Sequence, residues 1–520
     1  MRKIAITLFY LCFAVTYSIA QKNAPTNWYN LDLKKDKVPG VSSERAYSEL
    51  LLTKISSPII VAVIDGGTEV DHEDLKSIIW INKKEIDNNN IDDDRNGYID
   101  DMHGWNFIGG KNGDVNTDNL ELTRVYKELS AKYEQNEPKV GANYEAYVKV
   151  KTIYENRITS AKESISLYKE IYRNIDSVIK SIGTENPTSD QLKAFKPNNA
   201  MEKNILTIAA KNKSSLKELK TQLNSAIEHY QTELNSQLNV DLDTRLIVGD
   251  NYSDNTERIY GNNHYEGPEG GHGTHVAGII AAIRDNSIGM KGVANNVNIM
   301  VVRVVPNGDE RDKDIANGIR YAVDNGAKII NMSFGKNYSP SKYIVDDAVR
   351  YAVSKNVLLV HAAGNDGKNT DTSNNFPRDT YADNSGEASS WLEIGASSWQ
   401  KGKTIAADFS NYGRENVDVF APGVSIYSTI PDSKYASFNG TSMAAPVTSG
   451  VAALVWSYYP TLTANQVKDI IMQSSVKIKG KVILPGNRKI KVKMTDLCKT
   501  GGIVNAYEAL KMADAVVNKK

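Results

Sequence analysis

Six short apolar runs alternate with stretches of helical periodicity along this chain, and that alternation leaves few architectures open to it. The runs are Ile59 to Ile64, Ile299 to Val305, Lys328 to Met332, Val357 to Ala362, Leu392 to Ala396 and Val417 to Ala421. Between them, Thr274 to Ile283, Ile315 to Asn325 and Val345 to Ser354 carry apolar residues at helical spacing. Strands that are apolar throughout, rather than at alternate positions, suit a parallel sheet covered by helices on both faces. The expectation is an α/β domain with a doubly wound, mostly parallel sheet. Its ligand crevice should open at the carboxyl ends of the strands.

Three segments place reactive groups at such ends. Val61-Ala-Val-Ile-Asp65-Gly66-Gly67 ends a strand in a carboxylate, Gly271-His272-Gly273-Thr274-His275 opens a helix on an imidazole, and Gly440-Thr441-Ser442-Met443-Ala444-Ala445-Pro446 opens a helix on a hydroxyl. A serine hydroxyl becomes a useful nucleophile when an imidazole takes its proton, and the imidazole needs a carboxylate to fix its tautomer and stabilise its charge. Asp65, His272 and Ser442 fit those roles, and the helix running from Ser442 to about Tyr459, stopped by Pro460, would put its positive end at the nucleophile. A fourth segment, His361-Ala362-Ala363-Gly364-Asn365, offers Asn365 as an oxyanion donor.

These four segments, in this order, resemble the subtilisin-like serine peptidases. The resemblance covers most of residues 58–108 and 258–513 and implies a serine endopeptidase. It further implies that Ser333, Phe334 and Gly335 pair with an extended peptide, while Ala362, Ala363 and Gly364 floor the adjoining pocket. One departure is Gly66-Gly67, where the family more often has Ser or Thr after the aspartate. The rival reading is a catalytically silent scaffold with the same fold that holds a partner. His272 and His275, three apart on a helix, could form a zinc pair, but no third ligand accompanies them, so His275 is expected to be a packed residue, as is His361 on the strand running into Asn365. The acidic and basic run Asp309 to Asp314 reads as a solvated loop or as a charge bias on a subsite.

A different chemistry is written in Asp92-x-Asp94-x-Asn96-Gly97-Tyr98-x-Asp100. Hard oxygen donors at alternate positions, with Gly at the sharp turn, suit a structural Ca²⁺, although His103 stands where an EF-hand has its bidentate Glu. The expected ligands are Asp92, Asp94, Asn96, Tyr98 and Asp100, and no organic cofactor is expected. Formal net charge is zero, which gives no reason to expect nucleic acid as a partner.

Arg2 and Lys3, the apolar run Ile4 to Tyr17 and the small residues Ser18 and Ala20 read as an export signal. The protein is expected to be periplasmic or secreted, without a stable membrane span. Lipid attachment at Cys12 is disfavoured by the bulky residues before it.

Asp65 and His272 are separated by about two hundred positions, far more than the family requires. Tyr147, Tyr154, Ile158, Ala161, Ile165, Tyr168, Tyr172, Ile175, Ile179 and Ile182 form a heptad seam, and Ala209, Leu216, Leu219, Leu223, Ala226 and Tyr230 form a second. Two helices of roughly 36 residues, each about 55 Å long, should make an antiparallel hairpin that could dock a protein partner or gate the cleft. Lys477 to Lys493 reads as a basic β-hairpin. The expected organisation is a signal peptide (1–20), an N-terminal extension (21–57), the sheet domain (58–112 and 251–520) and the inserted helical hairpin (113–250).

Overall fold

The computed structural model describes residues 24–134, 139–212, 215–268 and 270–518. The expected export signal and Cys12 lie outside the described residues. Two compact units divide the chain, one holding 24–121 and 243–520, the other 122–242. Among the described residues no helix is long and apolar enough to cross a membrane.

The first unit is built on a nine-stranded sheet. Its strands in chain order are β1 (Ile59–Asp65), β2 (Gly104–Asn106), β3 (Val297–Arg303), β4 (Ile329–Met332), β5 (Leu358–Ala362), β6 (Trp391–Ser397) and β7 (Val419–Pro422). Strands β8 (Ile426–Ile430) and β9 (Lys434–Phe438) form a separate hairpin, as do β11 (Lys481–Leu484) and β12 (Asn487–Lys493), while β10 (Val476–Lys477) and β13 (Gly502–Ile503) return to the sheet edge. The spatial order is β10-β13-β7-β6-β5-β4-β1-β3-β2. All neighbours run parallel except β10 and β13. The chain moves outward in one direction from β4 to β7 and in the other from β1 to β3, so its sense reverses at β1. That reversal opens a crevice beyond the carboxyl ends, where Asp65, Arg303, Met332 and Ala362 stand.

β1, β4 and β5 bury nearly every side chain, as continuous apolar runs must when helices cover both faces. One core cluster holds Val61, Val63 and Leu358 with the apolar helix Thr441–Tyr458, and the other holds Ala62, Ile64 and Leu359 with the helix Asp312–Asp324. The N-terminal extension belongs to this unit. Trp28 and Tyr29 are buried in the first cluster, and the Trp28 indole donates to the carbonyls of Val424 and Ser425 at 3.1 and 3.2 Å.

In the second unit one 41-residue helix, Ala142–Ile182, spans about 60 Å. The return arm is divided rather than continuous: it comes as the helices Ala200–Asn212 and Leu216–Thr232, the second opened by a reciprocal Ser215–Glu218 capping box and running on into the helical turn Glu233–Gln237. It runs antiparallel to the long helix: Lys220 pairs with Asp176 at 2.8 Å and Arg157 with Glu233 at 2.5 Å. Ile171 and Val178 are buried where Tyr172 and Ile179 were expected to be, and the latter pair lies at the margin. A straight helix of 3.6 residues per turn drifts away from a strict heptad, so the buried stripe shifts along its length.

Candidate functional site

Asp65 is the last residue of β1 and is buried, while His272, in the first turn of the helix Gly271–Ala281, keeps 42% of its side chain exposed. Nδ1 of His272 lies 2.9 Å from each Asp65 carboxylate oxygen. The aspartate therefore fixes the tautomer that leaves Nε2 free to take a proton. Burial pulls the His272 pKa down, but the charge of Asp65 and its hydrogen bond outweigh that and hold it above the ordinary imidazole value.

Glycine after the aspartate does not leave the carboxylate loose. The Gly66 N–H donates to Asp65 Oδ1 at 2.8 Å. Gly67 has φ +123°, and a Cβ there would fall 1.9 Å from the Glu266 carbonyl oxygen, so no other residue fits. Arg303, beside Asp65 in the register of β1 and β3, donates from Nε to the Gly66 carbonyl at 2.9 Å and from Nη1 to Asn106 Oδ1 at 3.0 Å. Burial lowers its pKa to about 10.

Ser442 follows Gly440 and Thr441 at the start of the helix Thr441–Tyr458. Pro446, four residues on, has no N–H for the Ser442 carbonyl. The Ser333 hydroxyl takes that place, donating to the Ser442 carbonyl at 2.9 Å. In return the Ser442 hydroxyl donates to the Ser333 carbonyl at 3.1 Å, not to His272. Asn365 comes just after β5. Its Oδ1 accepts from the backbone N–H and the hydroxyl of Thr441 at 2.8 and 3.0 Å, which aims Nδ2 toward the serine. A point one bond from the Gly440 Cα, where a Cβ would lie, is 3.6 Å from Asn365 Nδ2 and 3.5 Å from the Ser442 N. Two donors thus converge on one space beside the nucleophile.

A cleft lined by Asp65, His272, Arg303, Glu310, Ser333 and Phe334 opens over these ends. Phe334 contributes through its backbone as well. His361 Nε2 lies 2.8 Å from the Phe334 carbonyl, and His361 Nδ1 lies 2.9 Å from Glu393 on the neighbouring strand. Successive carbonyls of an extended segment point to opposite sides. The Phe334 carbonyl is held inward by His361, and the Ser333 carbonyl faces the nucleophile. His361 is more than packing, then, although no sequence signal marks Glu393 as its partner. His275 matches the expectation of a packed residue: it is fully buried, stacks on Phe438 at 4.2 Å, and burial lowers its pKa to about 3.

Asn411 escaped sequence reading altogether. It donates to the Ala363 carbonyl at 2.9 Å and its Oδ1 accepts from the N–H groups of Asp366 and Lys368, so it clamps the turn that carries Asn365. The Asp309–Asp314 run is not a solvated loop. Arg311 pairs with Asp118, Lys313 with Asp250 and Glu257, Asp312 with Lys336, and Asp314 with Arg245, all at 2.6–2.9 Å. Only Glu310 of this run lines the cleft.

In the acidic loop, Glu85, Asp92 and Asp94 present carboxylate oxygens within 4.8 Å of one another, a set able to hold a cation. Glu85, outside the Asp-x-Asp spacing, was not among the expected ligands. Asp100 is not brought to them: its oxygens accept from the Asn89 and Asn90 N–H groups at 3.2 and 3.0 Å. Asn96 Oδ1 is taken by the Tyr98 N–H at 2.7 Å, and the Tyr98 hydroxyl donates to the Arg258 carbonyl.

Comparison with known proteins places this geometry in context. Residues 223–505 match the family model described as the Subtilase family, over half of the chain. The chain is 39% identical over 211 residues to subtilisin DY of Bacillus licheniformis, covering 40% of this chain and 71% of that one. It is 37% identical over 271 residues to thermitase of Thermoactinomyces vulgaris, covering 52% and 83%. With subtilisin E of Bacillus subtilis it shares 42% identity over 204 residues, covering 38% and 49%.

Proposed function

The chain belongs to the subtilase family and is a serine endopeptidase, and from that premise we propose that Asp65, His272 and Ser442 carry its reaction with Asn365 as oxyanion donor. The observation that supports this most is the pair of 2.9 Å contacts between His272 Nδ1 and the Asp65 carboxylate, beside a serine backed by Asn365. Asp65 lies outside the span matched by the family model, so its role rests on this geometry. For reaction the Ser442 hydroxyl turns from the Ser333 carbonyl toward His272 Nε2, which takes the proton as Oγ attacks the peptide carbonyl. The carbonyl oxygen gains charge between Asn365 Nδ2 and the Ser442 N–H. His272 then returns its proton to the leaving amine, and water repeats the sequence on the acyl-enzyme. A fluorophosphonate should label the wild-type protein and not Ser442→Ala. A labelled Ser442→Ala would overturn the assignment.

Ser333, Phe334 and Gly335 are assigned to pairing with the peptide backbone, and Ala362, Ala363 and Gly364 to the pocket floor. The Phe334 carbonyl's tether to His361 supports the first assignment. The cation at Glu85, Asp92 and Asp94 is assigned as Ca²⁺, since three hard oxygen donors favour it. The leading residues 1–20 are assigned to export, which puts the enzyme in the periplasm or outside the cell. For the helical unit we favour docking of a protein partner, supported by the exposed Val148 and Ile153 on its long helix. Deleting 141–239 with a short linker tests that role: unchanged proteolysis and unchanged partner capture would remove it.

A further inference from the structure

The β11–β12 hairpin lies outside the site, and its two faces differ sharply. Alternation along the strands turns Val482 into a core cluster with Phe420, Leu497 and Cys498, and Val492 packs beside it. The opposite face therefore carries Lys481, Lys489, Lys491 and Lys493, all exposed. Register sets Lys481 directly across from Lys493, a like-charge pair that an antiparallel ladder ordinarily avoids. No acid occurs between Asp469 and Asp496, although the whole chain is neutral. Among the described residues none of these four lysines forms an ion pair, while Arg488 on the other face is held by Asp408 at 2.9 Å.

The hairpin tip is fastened beside the turn that carries Asn365. The Gly486 N–H, at its tip, donates to the Asp408 carbonyl at 2.8 Å, and a Cβ on Gly367 would fall 2.8 Å from the Gly486 Cα. Both glycines have positive φ, so the two backbones touch at a point where no side chain could intervene. Gly367 stands two residues beyond Asn365. The lysine face is thus a track that starts beside the oxyanion segment and leads away from it.

We propose that this face is an exosite for an acidic stretch of a protein substrate, which it holds while a neighbouring segment occupies the cleft. The proposal rests on the endopeptidase reading and adds a substrate class to it. The tip's contact with Gly367, two residues beyond Asn365, favours a substrate over a separate polyanion. Nucleic acid is disfavoured because 476–495 contains no aromatic side chain on which a base could stack. A membrane surface is disfavoured because Ile490 is the hairpin's one exposed large apolar side chain.

The test compares a neutral fluorogenic peptide with the same peptide carrying a run of glutamates at either end. In the full-length wild type, one glutamate-tailed form should show a KM at least about fivefold below the neutral peptide, an advantage that fades as salt is raised. The variant K481Q/K489Q/K491Q/K493Q should lose the advantage and keep the neutral peptide's kcat and KM. Replacing the same four lysines by arginine should keep it. Equal KM values for tailed and neutral peptides in the wild type would overturn the exosite, as would tight binding of single-stranded DNA or anionic vesicles that the glutamine variant loses with no change in proteolysis. A wild type that fails to cleave even the neutral peptide would fail the endopeptidase reading, and the exosite with it.

Discussion

Ser333 and Ser442 are joined by two hydrogen bonds of opposite sense, hydroxyl to carbonyl in each direction, at 2.9 and 3.1 Å. The first exists because Pro446 cannot serve the Ser442 carbonyl from within the helix. Ser333→Ala should leave that carbonyl buried without a donor, at about 1–3 kcal/mol of stability, and lower kcat roughly tenfold as the nucleophile's turn loosens. Pro446→Ala restores a backbone N–H at the right place. Kinetics and melting of S333A and S333A/P446A check this: the double variant should recover part of the loss, and additive losses would refute the account.

Asn365→Ala removes one of the two donors facing the developing oxyanion. Turnover should fall by about 10²–10³ with KM little changed, as it does when the oxyanion asparagine of a subtilisin is removed. Steady-state kinetics on a chromogenic peptide decide it.

The pH dependence follows from His272, whose pKa Asp65 holds above the ordinary imidazole value against the downward pull of burial. The folded protein binds this proton more tightly than the unfolded chain. The resulting stabilisation is full below the unfolded pKa and disappears as pH rises through the folded one. Catalysis needs the neutral ring, so kcat/KM should rise with pH through that same folded value. In Asp65→Asn the rising limb should move to lower pH, with kcat down by about 10⁴. A limb that stays in place would show that Asp65 does not set it.

His361→Leu strips the Phe334 carbonyl and Glu393 of their shared partner. KM for extended peptides should rise roughly tenfold, while a single-residue ester that never reaches Phe334 keeps its kcat. Stability should fall by about 1–3 kcal/mol, because the Glu393 carboxylate then keeps only the Trp391 indole N–H, at 3.0 Å. Equal effects on both substrates would mean that the histidine only supports the core.

Excess chelator should lower the melting temperature by several degrees, and Glu85→Gln should reproduce most of that shift without chelator. A melting curve that neither treatment moves would remove the cation from the Glu85, Asp92 and Asp94 cluster.

What could be read from sequence was local. Asp65, His272, Ser442 and Asn365 each sit at the end of an apolar run or the start of a helix, and such positions leave a signature within a few residues. Glu393, Asn411 and Glu85 left none. Glu393 reaches His361 only because β5 and β6 are neighbours in register, and Asn411 clamps a turn that begins 47 positions earlier in the chain, at Gly364. Asp100 shows the limit of spacing alone. Its spacing fits a metal loop, while in the fold its oxygens accept from two backbone N–H groups, as those of Glu85 also do. The return arm of the helical unit is divided where a continuous seam was expected, and the Ser215 cap that opens its last helix is legible in Ser215-x-x-Glu218 once sought.

The Trp28 indole, bonded to carbonyls 396 and 397 positions downstream, ties the start of the described chain to a strand turn made near its end. Closing so long a loop is slow and comes late in folding. The core that backs the nucleophile helix also contains Trp28 and Tyr29, so it cannot be completed until nearly all of the polypeptide is available. A nascent chain therefore cannot close the core behind Ser442 until most of its residues have been made.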